Sequence, residues 1–554
     1  MSIHALSKLN VTPVRVEAPP VPCVAVVIVT WNRKRFVSSV LEALCKQTFP
    51  VGQLHVVVVD NCSTDETLEH LAERYRPEAI VENPTKLAHA PQFAAPVSQT
   101  PGLENTLRFG SLTIVHNHAN HGGCGGFNTG FAYVSLALDR PDSPGGAPDY
   151  VWLVDDDIDL PTDTCAQLVR AAEEDQTIGL VGSRTMDLGD RGNTIETTIY
   201  FDAKTGRMSD EPTPEHRLHE SHQRWVKQVG GTRGRNEYHG LRDVDVVSAC
   251  SLLARWSLVR EVGFWDYRYF IYCDDADWCL RFARAGHRVV LNLDAVVFHT
   301  PWHHKLTPSR AYYAQRNIFW VIQKILPVEH LRRSTLTWMR SVLRHSLVAG
   351  LNRRIFQAEI QRRSCDDVMT GRWGKLDPAE PALEEIGAGL DTNGLLRAGA
   401  TIALTLNRGD SAVAAADFRE RVRAYLKSVS REGDEPRWVE IVRNDVPGAE
   451  SERPTGVARR VVYAGRFLSR MKRQKSFVFD RPDALVVFDQ GNDFPLLRAR
   501  FNVHVDHRQA GKCQIERGET GRVVKFLARW VWTAARAVVY SRRLGPYVSP
   551  SMYG

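Results

Sequence analysis

The apolar residues of this chain fall first into short β-branched runs, not long periodic stretches. Val24-Ala-Val-Val-Ile-Val-Thr30 and His55-Val-Val-Val-Val-Asp60 are continuous runs of the kind a parallel sheet buries on both faces. Between them, Val40, Leu41 and Leu44 recur at helical spacing. After the second run, Asn61-Cys-Ser-Thr-Asp65 offers Ser and Thr suited to capping the next helix. Leu112-Thr-Ile-Val-His116 and Tyr150-Val-Trp-Leu-Val154 repeat the strand pattern, while residues 83–111, rich in Pro, Ala, Gln and Ser, read as a loop insertion. Strands and helices alternating in this way predict a doubly wound α/β domain, whose ligands sit beyond the carboxyl ends of the strands.

Beyond residue 328 the period changes. Leu336, Met339, Leu343 and Leu347 form one helical face within 329–363, a helix or helical hairpin flanked by Arg333, Arg340 and Arg344. In 364–520 the run Ile402-Ala-Leu-Thr-Leu406 precedes a helical stretch, Ala412–Val429, and Ala484-Leu-Val-Val-Phe-Asp489 reads as a strand. Near the end, Arg522, Lys525, Arg529 and Arg536 share one stripe beside Val523, Val524, Phe526, Leu527, Trp530, Val531 and Trp532. Such a helix suits an anionic membrane surface, and equally a berth on the protein's own core with its basic side in water. The expected divisions are a surface leader (1–21), a catalytic domain (22–327) and a mostly helical or α+β C-terminal domain (328–554).

Composition narrows the class. A chain of 554 residues is too long for one ordinary core, and 43% hydrophobic with 24% charged residues is usual for a globular protein. Ten cysteines without CxxC spacing fit reduced thiols in the cytoplasm. The segment from Met1 lacks the apolar core of a secretory signal, and no run of about 18 apolar residues predicts a transmembrane helix. The net charge of +7 rests largely on amphipathic helices, not on basic residues alternating with stacking aromatics, so nucleic acid is not an expected partner.

The chemistry starts at Asp155, Asp156 and Asp157, which end the fourth run. Carboxylates crowded at a strand tip need a cation or a proton, and hard ions such as Mg²⁺ and Mn²⁺ take such oxygens together with substrate phosphates. An acidic turn is the plain alternative. Asp60, the segment Asn117–Gly126 and the aspartate triplet each follow a strand, so they should converge on one rim. The glycines of Asn120-His-Gly-Gly-Cys-Gly-Gly126 let backbone approach a ligand, or merely make a flexible connection. No Gly-Lys-Ser/Thr ends the segment, so it is not a Walker loop, and its place after the third run argues against a dinucleotide fingerprint.

Together these residues carry a resemblance. Val29-Thr-Trp-Asn-Arg33, Val59-Asp-Asn-Cys-Ser-Thr-Asp65, Asn120–Phe127 and Leu153-Val-Asp-Asp-Asp-Ile158 resemble the inverting family 2 glycosyltransferases of GT-A fold. Phe270-Ile-Tyr-Cys-Asp-Asp-Ala-Asp-Trp278, Phe298-His-Thr-Pro-Trp-His-His-Lys305 and Ala311-Tyr-Tyr-Ala-Gln-Arg-Asn317 are most similar to bacterial galactofuranosyltransferases. Rhamnosyltransferases share much of the pattern. The likeness covers roughly residues 22–325.

The resemblance implies a nucleotide-sugar donor, UDP-galactofuranose first, with dTDP-rhamnose as the rival. It puts Asp155 and Asp157 on a Mn²⁺ or Mg²⁺ ion or the diphosphate, His299 as a further metal ligand, and Asp156 near the ribose or sugar. Asp275 becomes the base for the acceptor hydroxyl, with Asp274 orienting it and Asp277 structural. Asp60 would meet the nucleobase, Thr30 and Asn32 the mouth of the first strand, Asn120, Gly122 and Gly123 the donor, and Trp302 the sugar. Arg316 and Asn317 would engage phosphate or an active-site loop. The acceptor class implied is a cell-envelope glycan or polyprenyl-diphosphate-linked glycan, with the enzyme peripheral on the inner membrane face. The Gln-x-x-Arg-Trp signature of processive cellulose- and chitin-type synthases is absent, which argues against that branch. Two features depart from the galactofuranosyltransferase pattern: no leading β-rich domain is expected, and a charged insertion runs from Asp202 to Arg242. A non-catalytic sugar-nucleotide-binding scaffold is the alternative of another class.

Overall fold

The computed structural model describes residues 21–88, 90–94, 105–141, 146–195, 199–229, 239–301, 305, 307–377, 383–407, 410–449, 454–466, 468, 481–488, 499–505 and 511–545. Residues 1–20 of the expected leader, and Trp302, lie outside these residues.

The first half alternates strand and helix: β1 (Val24–Thr30), α1 (Lys34–Leu44), β2 (Leu54–Asp60), α2 (Thr67–Tyr75), β3 (Ala79–Asn83), β4 (Ser111–Asn117), α3 (Gly122–Tyr133), β5 (Tyr150–Asp155), α4 (Thr164–Glu174) and β6 (Ile178–Asp187). A small hairpin, β7 (Tyr200–Phe201) with β8 (Met208–Ser209), spans the start of the charged insertion, and helix α5 (His219–Val229) lies within its described residues. Then come β9 (Leu241–Asp243), β10 (Ser251–Arg255), α6 (Trp256–Val262), α7 (Asp274–Arg284) and β11 (Arg288–His299).

Among the described residues these form a sheet in the order β3-β4-β2-β1-β5-β10-β6-β11-β9. The block from β3 to β5 is parallel, and β10 enters antiparallel between β5 and β6. Every residue of β2 is buried, as are all but one of β1, because helices cover both sheet faces. Helix α1, for example, buries Val37, Val40, Leu41 and Leu44 at steps of three, one and three. Edge strand β3 falls partly in the region expected to begin a loop. Its alternating burial, unlike the continuous runs of β1 and β2, gives it a weaker sequence signal.

Helices α8 (Pro308–Ile325), α9 (Val328–Leu351) and α10 (Ile355–Thr370) follow, so 329–363 is a helical hairpin. The next stretch holds a second sheet: β12 (Glu384–Glu385), α11 (Ile386–Thr392), β13 (Thr401–Leu406), α12 (Ser411–Ser428), β14 (Arg437–Arg443), β15 (Val457–Tyr463), β16 (Ala484–Phe488), β17 (Phe501–Val505) and β18 (Lys512–Arg517). Its described order is β12-β18-β17-β16-β13-β14-β15, parallel from β15 through β17. Helix α13 (Thr520–Arg543) returns antiparallel along α9, with Phe526 against Gly350 and the Trp530 indole donating to the Leu343 carbonyl at 2.8 Å. The C-terminal region is thus helical at both ends with an α/β sheet between them.

Candidate active site

Parallel register brings the strand tips together. Thr30 pairs with Asp60, Asp60 with His116, and Val29 with Asp155, so the ends of β1, β2, β4 and β5 share one rim. Because β1 lies between β2 and β5, the chain leaves the sheet in different directions there and opens the crevice in which such folds bind ligands.

The aspartates occupy three environments. Asp156 is buried, accepts a hydrogen bond from the Thr30 hydroxyl at 2.8 Å, and pairs with Arg33 at 2.9 Å. Burial pushes its carboxyl up to about 6, against the pull of Arg33. Asp157 pairs with Arg33 (2.8 Å), Lys305 (2.6 Å) and the His299 Nε2 (3.1 Å). Burial alone would raise it, but the His299 hydrogen bond and the surrounding positive charges outweigh that and hold it well below the usual range. Asp155 leaves 38% of its side chain open, yet desolvation in the crowded rim raises its carboxyl.

Asp155, Asp157 and His299 place one potential ligand atom each within 4.8 Å of one another. Two carboxylate oxygens and an imidazole nitrogen suit a divalent ion such as Mn²⁺. Lys305 Nζ lies 2.6 Å from Asp157 Oδ2 and 2.9 Å from His299 Nε2, so a cationic group already sits among these donors. The donor set therefore fits a divalent metal, with the Lys305 ammonium as the group an ion would displace.

Across the rim, α7 begins at Asp274 and presents Asp274, Asp275 and Asp277 in its first turn. The entry to this helix is tightly wound: Phe270, Tyr272 and Cys273 all have positive φ, at 68°, 70° and 64°. Asn317 secures it by donating to the carbonyls of Tyr269, Ile271 and Tyr272 at 2.8–2.9 Å. Arg316 is buried and donates to the carbonyls of Tyr269 (3.0 Å) and Gly374 (2.8 Å), so it holds the loop and does not face a phosphate. Burial raises the carboxyls of both Asp274 and Asp275, and the charge of Asp155 adds to each. Asp275 also accepts from the Ala276 amide at 2.8 Å. Asp277 points the other way, bonded to Lys324 at 2.8 Å and Arg281 at 3.0 Å.

The residues expected to meet the donor are more engaged with one another than their sequence suggests. Asp60 is fully buried and accepts from His116 Nδ1 at 2.7 Å and the Ser63 amide at 3.3 Å. That hydrogen bond raises the His116 imidazole. Asn32, at φ 54°, ties the first strand's exit to the second by accepting from the Thr64 amide at 2.6 Å. Asn120 accepts from the Gly122 amide at 2.9 Å.

The glycine-rich segment is not a loop. From Gly122 onward it is helix α3, because Gly126 and Gly130 let the helix lie flush on Val29 and Val27 of β1. At Gly122 (φ 73°) a Cβ would overlap the Phe270 carbonyl, so this glycine serves a close protein contact, while Gly123 faces open space.

Arg33 and Lys305 were not singled out from sequence, nor was His116. Arg33 and Lys305 lie inside the quoted motifs, but their aspartate partners are 123 to 148 residues away, and no local spacing announces such contacts.

A family model described as "Glycosyltransferase like family 2" matches residues 19–323. A 52-residue stretch is 44% identical to the poly(ribitol-phosphate) β-N-acetylglucosaminyltransferase TarS of Staphylococcus aureus (strain Mu50 / ATCC 700699), and it spans 9% of either chain. Among solved structures, S. aureus TarS aligns with a TM-score of 0.36 at 15% identity, over 63% of this chain and 50% of that one. The mannosyltransferase PcManGT from Pyrobaculum calidifontis, solved with GDP-Man and Mn²⁺, aligns at 0.33 and 16% identity, over 75% and 88%. With more than half its length matched by that model, and its strand tips arranged on a GT-A rim, this chain belongs to the family 2-like glycosyltransferases.

Proposed function

We propose that this enzyme is a metal-dependent, inverting glycosyltransferase that moves galactofuranose from UDP-galactofuranose onto a cell-envelope glycan or a polyprenyl-diphosphate-linked acceptor. The observation that supports metal-dependent transfer is the meeting of Asp155, Asp157 and His299 on one side of the rim with Asp274 and Asp275 on the other, while the choice of donor sugar rests on the motif likeness. A Mn²⁺ or Mg²⁺ ion held by the first group would neutralise the departing diphosphate.

The protein's own residues then divide the work. Arg33, held between Asp156 and Asp157, keeps the triplet ordered before donor arrives. Asp60, paired with the partly exposed His116, forms the nucleobase side, and Thr30 with Asp156 the side of the ribose or sugar. Asn32, Asn120 and Gly122 shape that side from behind, and Gly123 leaves backbone open to the donor. Asp275 takes the acceptor's proton, its raised carboxyl making it a better base than an ordinary aspartate, and Asp274 orients it. The two titrate as a pair, so a pH optimum belongs to both.

dTDP-rhamnose remains the rival donor, and the TarS likeness adds UDP-N-acetylglucosamine. The enzyme would work at the cytoplasmic face of a membrane; no described helix is long and apolar enough to cross one. The test is Mn²⁺-dependent nucleotide release from UDP-galactofuranose, dTDP-rhamnose, UDP-glucose and UDP-N-acetylglucosamine, with lipid-linked acceptor extract. Release from the first donor alone, abolished by EDTA, supports the reading. Release from a rival keeps the mechanism and replaces the sugar.

A further inference from the structure

Helix α13 has an unusual surface. Its 24 residues contain no Asp or Glu and six basic residues: Arg522, Lys525, Arg529, Arg536, Arg542 and Arg543. Phe526, Thr533, Ala537 and Ser541, at steps of seven, four and four, are buried against the neighbouring helices. On the opposite side Val524, Val531, Trp532 and Val539 are 60%, 61%, 66% and 48% exposed. Ala528 and Ala535, also exposed, fill the gaps, giving a continuous line at steps of four, three, four and four.

Sequence alone places Trp530 and Trp532 on one apolar face. The structure separates them: Trp530 turns in to Leu343, and Trp532 turns out. It also divides the basic residues. Arg529 and Arg536 reach back to Glu359 and Asp366 of α10 at 2.7 and 3.2 Å. Arg522 and Lys525 at one end, and Arg542 and Arg543 at the other, stay exposed and bracket the apolar line. Alongside, α9 exposes Arg333, Arg340, Arg344 and Val348.

We propose that this outward face of α13 docks on an anionic lipid bilayer. Exposed valines and a tryptophan would enter the headgroup boundary while the bracketing cations meet lipid phosphates. A second copy of the chain is the poorer occupant: it would bring arginine and lysine against arginine and lysine with no carboxylate on either helix. The docking gives physical form to the membrane-borne acceptor proposed above, but its test does not depend on sugar transfer.

The experiment is sedimentation of the full chain with phosphatidylcholine vesicles, with and without phosphatidylglycerol, using Val531→Asp/Trp532→Asp as the variant. Both positions are exposed, so a thermal melt should match wild type. Wild type is expected to pellet with the anionic vesicles and to be released as salt rises. The double variant should bind at least about tenfold more weakly, having lost two apolar contacts and gained two repelled charges. Nucleotide release with detergent-solubilised acceptor should stay unchanged. Recovery of wild type in the supernatant at low salt overturns the proposal, as does equal binding by the variant. A dimer dispersed by the variant, without vesicle binding, would assign the face to self-association instead. Vesicle binding without nucleotide release from any donor would leave the docking intact and count against the proposed donor reading.

Discussion

Helix α3 rests on β1 through glycine, so Gly130→Ala is expected to unseat the helix that carries the donor side of the rim. A Cβ at this position would overlap the Val27 Cγ1 and come within 3.3 Å of its Cγ2. Val27 has little freedom to respond. It is fully buried, its χ1 is stiff, and its strand is fixed in register between Val57 and Leu153. Restoring ordinary carbon contact therefore requires α3 to move by on the order of 1 Å. Overpacking of this kind costs about 1–3 kcal/mol, and alanine's better helix propensity offsets about 1 kcal/mol of it. A net loss of up to roughly 2 kcal/mol corresponds to a fall of about 2–4 °C per kcal/mol in the melting of a domain this size.

Activity should change as well, because the start of α3 touches the Phe270 carbonyl and holds Asn120 and Gly122 in place. Calorimetry would follow the melt, and the KM for donor should rise more than kcat falls. Val27→Ala makes room for the added methyl, so the double variant should be less destabilised than the sum of the singles by about 0.5–3 kcal/mol. A Gly130→Ala protein that melts at or above wild type with an unchanged KM would refute the seating argument. So would strict additivity in the cycle.

Other expectations concern the chemistry and the buried charges. Asp275→Asn should reduce turnover at least about a hundredfold while donor affinity, read by calorimetric titration, stays near wild type; a near-normal rate would remove Asp275 from the role of base. His299→Ala should weaken Mn²⁺ binding by roughly 10–100-fold, measured by titration of the ion alone. Unchanged affinity would take His299 out of the ligand set. Lys324 joins the buried carboxylates of Asp266 and Asp277 at 2.5 and 2.8 Å, so Lys324→Met should destabilise by about 3 kcal/mol in denaturant melts. Asp266 is held well below the usual carboxylate range: burial would raise it, but the Arg268 hydrogen bond and the charge of Lys324 prevail. Its stabilisation is therefore complete above the unfolded carboxylate's range and lost as pH falls toward the lowered folded value, and Lys324→Met should flatten that acid-side loss.

Much of this protein was legible in one dimension. Continuous β-branched runs can only be buried on both faces, so β1, β2, β4 and β5 were read as parallel strands, and strand order then carried Asp60 and the aspartate triplet to one rim. A period of 3.6 predicted a helix or helical hairpin over 329–363, and the structure makes it the hairpin of α9 and α10. Edge strand β3, whose alternate residues are only partly buried, left a weaker trace, and the second sheet lay in a region whose isolated strand signals did not reveal their pairing. The glycines before Phe127 misled in an instructive way. Composition reads as a loop, but close packing on Val27 and Val29 repays the poor helix propensity.

The sequence by itself determined the local elements, the strand tips where carboxylates would gather, and the family likeness of those tips, because each depends on neighbours a few residues apart. Only the tertiary structure decided which charges meet: Arg33 and Lys305 on Asp157, His116 on Asp60, Lys324 between Asp266 and Asp277. It alone turned Trp532 outward and Trp530 inward on the same helix. Such contacts join residues far apart along the chain, and burial, which sets their strength, exists only once the helices have closed over the sheets.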